Sequence, residues 1–455
     1  MTADTIVAIA TPAGRGGVGI VRLSGPAVKE IATQLIAGTL PNPREAAFRC
    51  FVDTANQVID EGLIILFNAP ASYTGEDVVE LHSHGSPIIL DHLLGCAVKL
   101  GARLAGPGEF TQRAYLNGRI DLTQAEAVAD LIESDSLMSA RAAVRSLQGE
   151  FSAQINTIIR QITDLRVEVE ASIDFPDEEL EIEGVGALFK SLCGVEEKLI
   201  SLLSLAKQGQ KLQEGAKVVI AGPPNAGKSS LLNILSGIDH AIVSPTPGTT
   251  RDLLLHTITL DGLTLDMVDT AGLREPSCDV EEEGVARAVS AVAEADHVLL
   301  LVDDSLPTDV EPLLSKLPEM IEVTRVDNKI DLSGGCPGPS SSGLTGGIAA
   351  RFSISAKTGE GLPQLREHLK KIAGYSTTTA TTYTARRRHV AAIEQTLNHV
   401  RIVTRQLVFP GSALEEMALV AEELRLSQSA LEAITGRYTT EMLLDEIFSG
   451  FCIGK

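Results

Sequence analysis

One octapeptide constrains this chain more than any other feature: Gly222-Pro223-Pro224-Asn225-Ala226-Gly227-Lys228-Ser229. It fits the pattern GxxxxGK[ST], follows an apolar strand-like run at 217–221, and precedes a helical run at 230–235. Glycines at the two ends of such a turn let backbone N–H groups wrap phosphate oxygens at the start of a helix, where the dipole favours negative charge. The phosphate-side candidates are therefore Asn225, Ala226, Gly227, Lys228, Ser229 and Ser230. Lys228 reaches toward the β- and γ-phosphates, and the Ser229 hydroxyl suits Mg²⁺.

Three further elements follow in a fixed order. Asp269-Thr270-Ala271-Gly272 comes after the apolar run 263–268, which puts a carboxylate at a strand's C-terminal end near the metal. Asn328-Lys329-Ile330-Asp331 comes after the run 321–326. The Asp331 carboxylate can accept from guanine N1–H and the exocyclic amine, donors that adenine lacks, so the base is guanine and the nucleotide GTP. Ser355-Ala356-Lys357, after the run 350–353, offers a backbone N–H to guanine O6. Between the first and second elements lies Gly248-Thr249-Thr250-Arg251-Asp252, where a threonine that meets Mg²⁺ only beside a γ-phosphate makes a switch. Thr250 is the choice for that contact. Many small GTPases place a water-orienting Gln directly after the second motif, but this chain has Leu273, which neither donates nor accepts. The acidic run at 279–283 reads, on its own, as a favourable first helical turn.

The hydrophobic period changes along the 455 residues. Residues 1–118 alternate short strand-like runs (6–10, 19–23, 62–67, 78–81) with helical spacings at 28–36 and 88–100, an α+β module. From 122 to 213 apolar residues recur three and four apart, the pattern of long amphipathic helices, interrupted by the Pro-containing acidic stretch 174–179. Strand–loop–helix alternation then runs from 217 to 374, the sign of a parallel α/β domain. Within it, 333–347 is a Gly/Ser/Pro-rich surface loop, and the threonine-rich 376–384 is a linker. Residues 386–451 are helical again. The expected architecture is multidomain α/β: an N-terminal α+β domain (1–118), a discontinuous α-helical domain (119–212 and 376–455), and an inserted, doubly wound P-loop domain (213–375).

A formal charge of −22, from 38 Lys plus Arg against 60 Asp plus Glu, argues against a generic polyanion binder. Local basic clusters remain, at Arg386-Arg387-Arg388-His389 and at Arg401 and Arg405, and these read as a helix surface or a seam against the other helical half. Six scattered cysteines without CxxC spacing fit free thiols in a reducing cytoplasm. The first residues lack signal-peptide and transit-peptide character, and no apolar run reaches membrane-spanning length, so a soluble cytoplasmic protein is expected. Glu80, His82 and His84 alternate on one strand face and could ligate a metal; hydrogen-bonded or solvent-facing histidines are the preferred reading. Taken alone, Arg22 is an edge-strand charge, Lys455 a solvated terminus and Cys452 a small buried hydrophobe.

The whole chain, not the P-loop domain alone, resembles the bacterial tRNA-modification GTPases of the MnmE (TrmE) family. The carriers are Ala10-Thr11-Pro12 with residues 14–19, Tyr73-Thr74-Gly75-Glu76-Asp77, Pro107-Gly108-Glu109-Phe110, Asp121-Leu122-Thr123-Gln124-Ala125-Glu126-Ala127, the stretch 174–179, and Phe451-Cys452-Ile453-Gly454-Lys455. The resemblance implies a homodimeric GTP hydrolase acting with a flavoprotein partner, MnmG, on the wobble uridine of certain tRNAs. Together they install an aminomethyl or carboxymethylaminomethyl group at C5, using a one-carbon unit from 5-formyl- or methylene-tetrahydrofolate. It implies folate contacts at Arg22, Glu80, Arg119 and Lys455, with Arg119 standing where some relatives have lysine, and it places Cys452 near the folate as a candidate catalytic group. It further implies a K⁺ ion held by Asn225, Ser244, Thr246 and Thr249, and aligns the water-orienting glutamate with Glu281. An acidic GTPase fits a tRNA substrate if the flavin partner supplies most of the phosphate-binding surface. The rival reading is a GTP-driven binding switch of the ribosome-assembly type without modification chemistry; a scaffold that uses GTP only to dimerise is a third.

Overall fold

Two seven-stranded sheets organise the chain. The structure, a computed structural model, describes residues 4–134, 136–174, 182–214, 216–223, 225–238, 255–260, 263–269, 295–306, 310–314, 321–340, 347–372, 383–408, 414–436 and 441–454. Of the positions singled out above, Ser244, Thr246, Thr249, Thr250, Thr270, Ala271, Gly272, Leu273, Glu281 and Lys455 lie outside the described residues, as do 175–179, the acidic run 279–283 and 376–382 of the linker.

The first sheet is built from β1 (Ile6–Ile9), β2 (Gly16–Ser24), β3 (Ile36–Ala37), β4 (Ala46–Val52), β5 (Val58–Phe67), β6 (Val78–Gly85) and β7 (Arg103–Leu104). Its order is β3-β4-β5-β6-β2-β1-β7, antiparallel except for the parallel β1–β7 pair. Val21, Leu23, Ile64, Leu66, Val79 and Leu81 bury one face together with residues of the helices Val28–Gln34 and Pro87–Lys99. Because side chains alternate along a strand, Arg22, Glu80 and His82 belong to the opposite face. The strand β4 escapes a periodicity reading because Ala46-Ala47-Phe48-Arg49-Cys50 is only half-buried; its pairing with β5 is fixed by the turn after Val52. There Asp53 Oδ1 accepts from the N–H groups of Ala55 and Gln57, and Asn56 takes φ 58°.

The second sheet comprises β8 (Ala216–Ala221), β9 (Leu255–Leu260), β10 (Leu263–Asp269), β11 (His297–Asp303), β12 (Val323–Asn328), β13 (Gly338–Pro339) and β14 (Ile348–Ser353), in the order β13-β14-β12-β11-β8-β10-β9. The five inner strands are parallel and the two edges antiparallel. Alternate residues of β8 and β11 enter two separate cores: Val218, Ile220, Leu299 and Leu301 join one, Val219, Ala221, Val298 and Leu300 the other. Burial on both faces is why these strands read as unbroken apolar runs. The parallel arrangement brings the C-terminal ends of β8, β10, β11, β12 and β14 to one edge, where α/β sheets bind ligands. Two expectations shift. The Asn328 segment begins inside β12 rather than after it, and the short β13 interrupts the loop expected at 333–347.

The chain divides into two compact units. Unit 1 comprises Met1–Ala129, Leu147–Val185 and Arg405–Lys455; unit 2 comprises Asp130–Ser146 and Gly186–Thr404. In unit 1 the helix Glu150–Asp174 packs along Leu414–Thr435, with Arg166 Nη1 donating to Gln428 Oε1 at 2.9 Å. In unit 2 the basic cluster is partly neutralised: Arg386 pairs with the buried Asp130 at 3.0 Å and Arg401 with Glu196 at 2.7 Å, and His389 is buried. Among the described residues no helix is long and apolar enough to cross a membrane.

Candidate functional site

In unit 2 the residues after β8 turn sharply into the helix Lys228–Ile238. Asn225 takes φ 62° and Gly227 φ 97°. A Cβ on Gly227 would lie 2.3 Å from Asn328 Nδ2, so only glycine lets the turn pass this close. Asn328 uses that proximity: its Nδ2 donates to the Ala226 carbonyl at 2.8 Å, and its Oδ1 accepts from the Ala356 N–H at 2.9 Å. One buried side chain thus ties the P-loop to the loop after β14. Lys228 Nζ donates to the carbonyls of Gly222 (3.0 Å) and Pro223 (3.2 Å), which holds an ammonium inside the turn. Asn225, Ser229 and Ser230 are exposed.

The loops after β12 and β14 are equally tied. Lys329, at φ 70°, donates to Asp303 Oδ2 at 2.6 Å. The Lys329 ammonium, followed by the Ser305 hydroxyl, holds the Asp303 carboxyl below the usual carboxylate range. Asp331 is exposed, and its Oδ1 accepts from the Ser355 hydroxyl at 2.7 Å. Buried Ser355 therefore supports the carboxylate, while Lys357 is exposed. Asp269 ends β10, in register with Ile220 of β8, two residues before Gly222. The P-loop, Asp269, Asn328, Lys329, Asp331 and Ser355–Lys357 are so brought to one edge of one sheet.

In unit 1 a second polar site occupies the open face of the first sheet. Arg22 and Glu80 are direct partners across β2 and β6. Arg22 Nε and Nη2 both approach Glu80 Oε1, at 2.9 and 2.8 Å, and Glu80 Oε2 shares a 3.1 Å hydrogen bond with His82 Nε2. The guanidinium also lies 5.9 Å from the centre of the Tyr73 ring and 5.8 Å from that of Phe110, within cation–π range. Its Nη1 donates to the Gly454 carbonyl at 3.4 Å, which brings the C-terminal segment into the same site. His84 hydrogen-bonds Asp60 at 2.9 Å, so Glu80, His82 and His84 are engaged as hydrogen-bonding groups. Arg119 is exposed, its stem against Gly75, two residues along from Tyr73. Cys452 is exposed, contrary to its reading as a small buried hydrophobe, because the segment carrying it runs along the surface as a single bridge to Pro107.

Beneath the site lies a network that sequence reasoning did not assign. Half-buried Arg113 donates to Glu76 (3.2 Å), Glu109 (3.0 Å) and Asp4 (2.6 Å), while Arg103 bridges Glu109 and Asp4. Ser24 Oγ donates to Glu76 Oε2 at 2.6 Å and also contacts Thr74 Oγ1 at 2.7 Å. Burial raises the Glu109 pKa, but Arg103, the Gly106 N–H and Arg113 outweigh it and hold the carboxyl low. The signal was present in Tyr73–Asp77 and Pro107–Phe110, whose acids this network explains; the arginines carried no local pattern.

Residues 5–119 match the family model "GTP-binding protein TrmE N-terminus", and residues 122–452 match "MnmE helical domain". The chain belongs to the MnmE family of tRNA modification GTPases. The tRNA modification GTPase MnmE of Alkalilimnicola ehrlichii is 50% identical over 100% of both chains. Those of Stutzerimonas stutzeri and Nitrosomonas eutropha are each 49% identical over 99% of both. Among solved structures, the G domain of the T. maritima FeoB iron transporter is 32% identical over 35% of this chain and 98% of its own, with a TM-score of 0.28. One family-like motif proves architectural. In Asp121–Ala127 the Asp121 side chain accepts from the Gln124 N–H (2.9 Å) and Gln124 Oε1 accepts from the Asp121 N–H (2.9 Å), a reciprocal cap on the helix Leu122–Glu133.

Proposed function

We propose that this member of the MnmE family is a K⁺-dependent GTPase that, with the flavoprotein MnmG, modifies C5 of the wobble uridine of certain tRNAs with a tetrahydrofolate one-carbon unit. The observation that carries the proposal is a pairing within one chain. A P-loop tied to a guanine-type carboxylate coexists with an Arg22–Glu80 site onto which the C-terminal segment folds. A binding switch has no use for the second site.

The described residues that bear on the proposal support it. Lys228, held by two carbonyls, is a cation that exchanges neutral acceptors for phosphate oxygens, and the start of the helix Lys228–Ile238 favours the same charge. Asp331, oriented by Ser355, accepts from the guanine N1–H and amine. Ser229 and Thr250 are assigned to Mg²⁺, and Asn225, Ser244, Thr246 and Thr249 to K⁺; these cations offset negative charge that develops on the phosphates. Asp269, Thr270, Ala271 and Gly272 form the second switch, in which Leu273 cannot orient water, and Glu281 takes that role. Arg22, Glu80, Arg119 and Lys455 are assigned to the folate, which supplies the one-carbon unit. Cys452, exposed beside the site, is assigned a direct role. The protein is read as a cytoplasmic homodimer, with residues 213–375 inserted into a helical domain (119–212 and 376–455) and the tRNA held largely by the partner.

Two measurements on the full chain test this. Exchanging K⁺ for Na⁺ is expected to slow GTP hydrolysis at least tenfold, the scale of a lost electrostatic contact in a transition state. Glu281→Ala is expected to do likewise with nucleotide affinity nearly intact; normal turnover by that variant removes the water-orienting assignment. Titration with 5-formyl-tetrahydrofolate is expected to show saturable binding lost in Glu80→Ala. No binding, with tRNA modification unaffected by Cys452→Ala, returns the protein to the binding-switch class.

A further inference from the structure

The Arg22 guanidinium is engaged on every nitrogen by its own chain: Nε and Nη2 by Glu80, Nη1 by the carbonyl of Gly454. Arg22 is therefore the joint between the Glu80 site and the C-terminal segment. That segment is fastened again by an antiparallel bridge of Ile453 with Pro107, in which the Gly108 N–H donates to the Cys452 carbonyl at 3.3 Å. Phe448 and Phe451 anchor it behind, buried with Leu122 and Ala125.

The fastening depends on Gly454. It takes φ 99°, and a Cβ there would stand 2.3 Å from the Ile9 carbonyl oxygen and 3.1 Å from Ala10 Cα. Any side chain would meet β1 backbone, which cannot give way as a flexible side chain can, and would also strain the left-handed conformation. Gly454 is thus the one residue type that lets the chain lie flat enough on β1 for its carbonyl to reach Arg22.

We propose that Gly454 is a positioning residue that latches the C-terminal segment onto β1, and that through Arg22 this latch is coupled positively to ligand binding at Glu80. With the carbonyl of Gly454 in place, Arg22 is held between its two acceptors and its two aromatic neighbours, Tyr73 and Phe110. Without it, the guanidinium loses one of its two acceptors, and the ordering cost falls on the ligand. Coupling of this kind is reciprocal, so a ligand at Glu80 tightens the latch by the same factor. The ligand half of this inference rests on the folate reading above; the latch half does not.

The test uses the full chain and its Gly454→Ala and Arg22→Lys variants. Hydrogen exchange without ligand comes first. In Gly454→Ala the peptide covering 105–110 is expected to exchange about tenfold faster, while the peptide covering 78–85 stays as in the parent. Unchanged exchange at 105–110 overturns the latch. Binding of 5-formyl-tetrahydrofolate comes second. Both variants are expected to bind about tenfold more weakly, Arg22→Lys because one ammonium cannot serve Glu80 and the Gly454 carbonyl in the same geometry. In the parent, saturating ligand is expected to slow exchange at 105–110. Parent-like affinity in Gly454→Ala with the segment released, or faster exchange on ligand addition, overturns the coupling. A parent chain that binds no reduced folate while its 105–110 peptide stays protected refutes the folate reading and the coupling that rests on it. The latch is then decided by the exchange data alone.

Discussion

At the scale of single residues, the nucleotide site turns on contacts with little tolerance. On the proposed reading Asp331 accepts from two guanine donors, so in Asp331→Ala the GTP affinity measured with a fluorescent analogue is expected to fall about 100-fold, in line with the loss of charged hydrogen bonds. An unchanged affinity would remove Asp331 from the base site. Gly227→Ala puts a methyl group 2.3 Å from Asn328 Nδ2, which must leave the Ala226 carbonyl. Nucleotide binding is expected to be lost there with a stability cost of about 1–3 kcal/mol, read from a denaturant midpoint. That these positions meet at one edge of the sheet was legible because a P-loop pattern and an ordered set of strand-end motifs fix residue type and spacing. The supporting side chains were not: Asn328 as a bridge to Ala226 and Ala356, or Ser355 beneath Asp331, emerges only when loops far apart in sequence meet.

At the scale of elements, two polar clusters carry predictions. Arg113 joins the helix Glu109–Leu116 to Glu76 and to Asp4 ahead of β1. Arg113→Leu takes the cation from half-buried Glu76 and one of two from Asp4 and Glu109, which keep Arg103, and is expected to cost about 1–3 kcal/mol in urea denaturation. Because Asp4 and Glu109 titrate below their unfolded values, their contribution is present above about pH 4.5 and lost as pH falls further. In the second sheet, buried His297 at the start of β11 shares a 2.8 Å hydrogen bond with Thr324 of β12, which in turn contacts His368 at 2.7 Å. Burial, followed by His368 and Lys211, lowers the His297 pKa from 6.5 to about 4; Glu322 and Lys371 are the other charges facing the pair. Between those values the unfolded chain binds a proton that the folded one refuses. Stability is full above pH 6.5 and falls toward pH 4, by up to about 3 kcal/mol. His297→Gln is expected to flatten the dependence of melting temperature on pH across that window; an unaltered slope would contradict the assignment. In this sheet β8, β10, β12 and β14 were legible from their apolar runs, whereas β9, β11 and β13, and in the first sheet β4 and β7, were not singled out. β7 and β13 are two-residue edge pieces and β4 is a half-buried strand between β3 and β5, so their pairing is set by partners rather than by their own pattern.

At the scale of the whole molecule, the charge of −22 stands beside membership of a tRNA modification family. Part of the most basic helical segment is neutralised, Arg386 by Asp130 and Arg401 by Glu196. The account therefore expects weak binding of tRNA by this chain alone, with an affinity that rises when MnmG is added; tight, salt-sensitive binding by the isolated chain would contradict it. The central claim is that GTP hydrolysis at Lys228 and chemistry beside Arg22 serve one modification. The most direct measurement is nucleoside analysis by mass spectrometry of tRNA from cells lacking this protein, complemented with the parent chain or with Lys228→Ala. Loss of the C5-aminomethyl and carboxymethylaminomethyl wobble uridines is expected, with restoration by the parent and none by Lys228→Ala. Unaltered wobble uridines in the cells that lack the protein would contradict it.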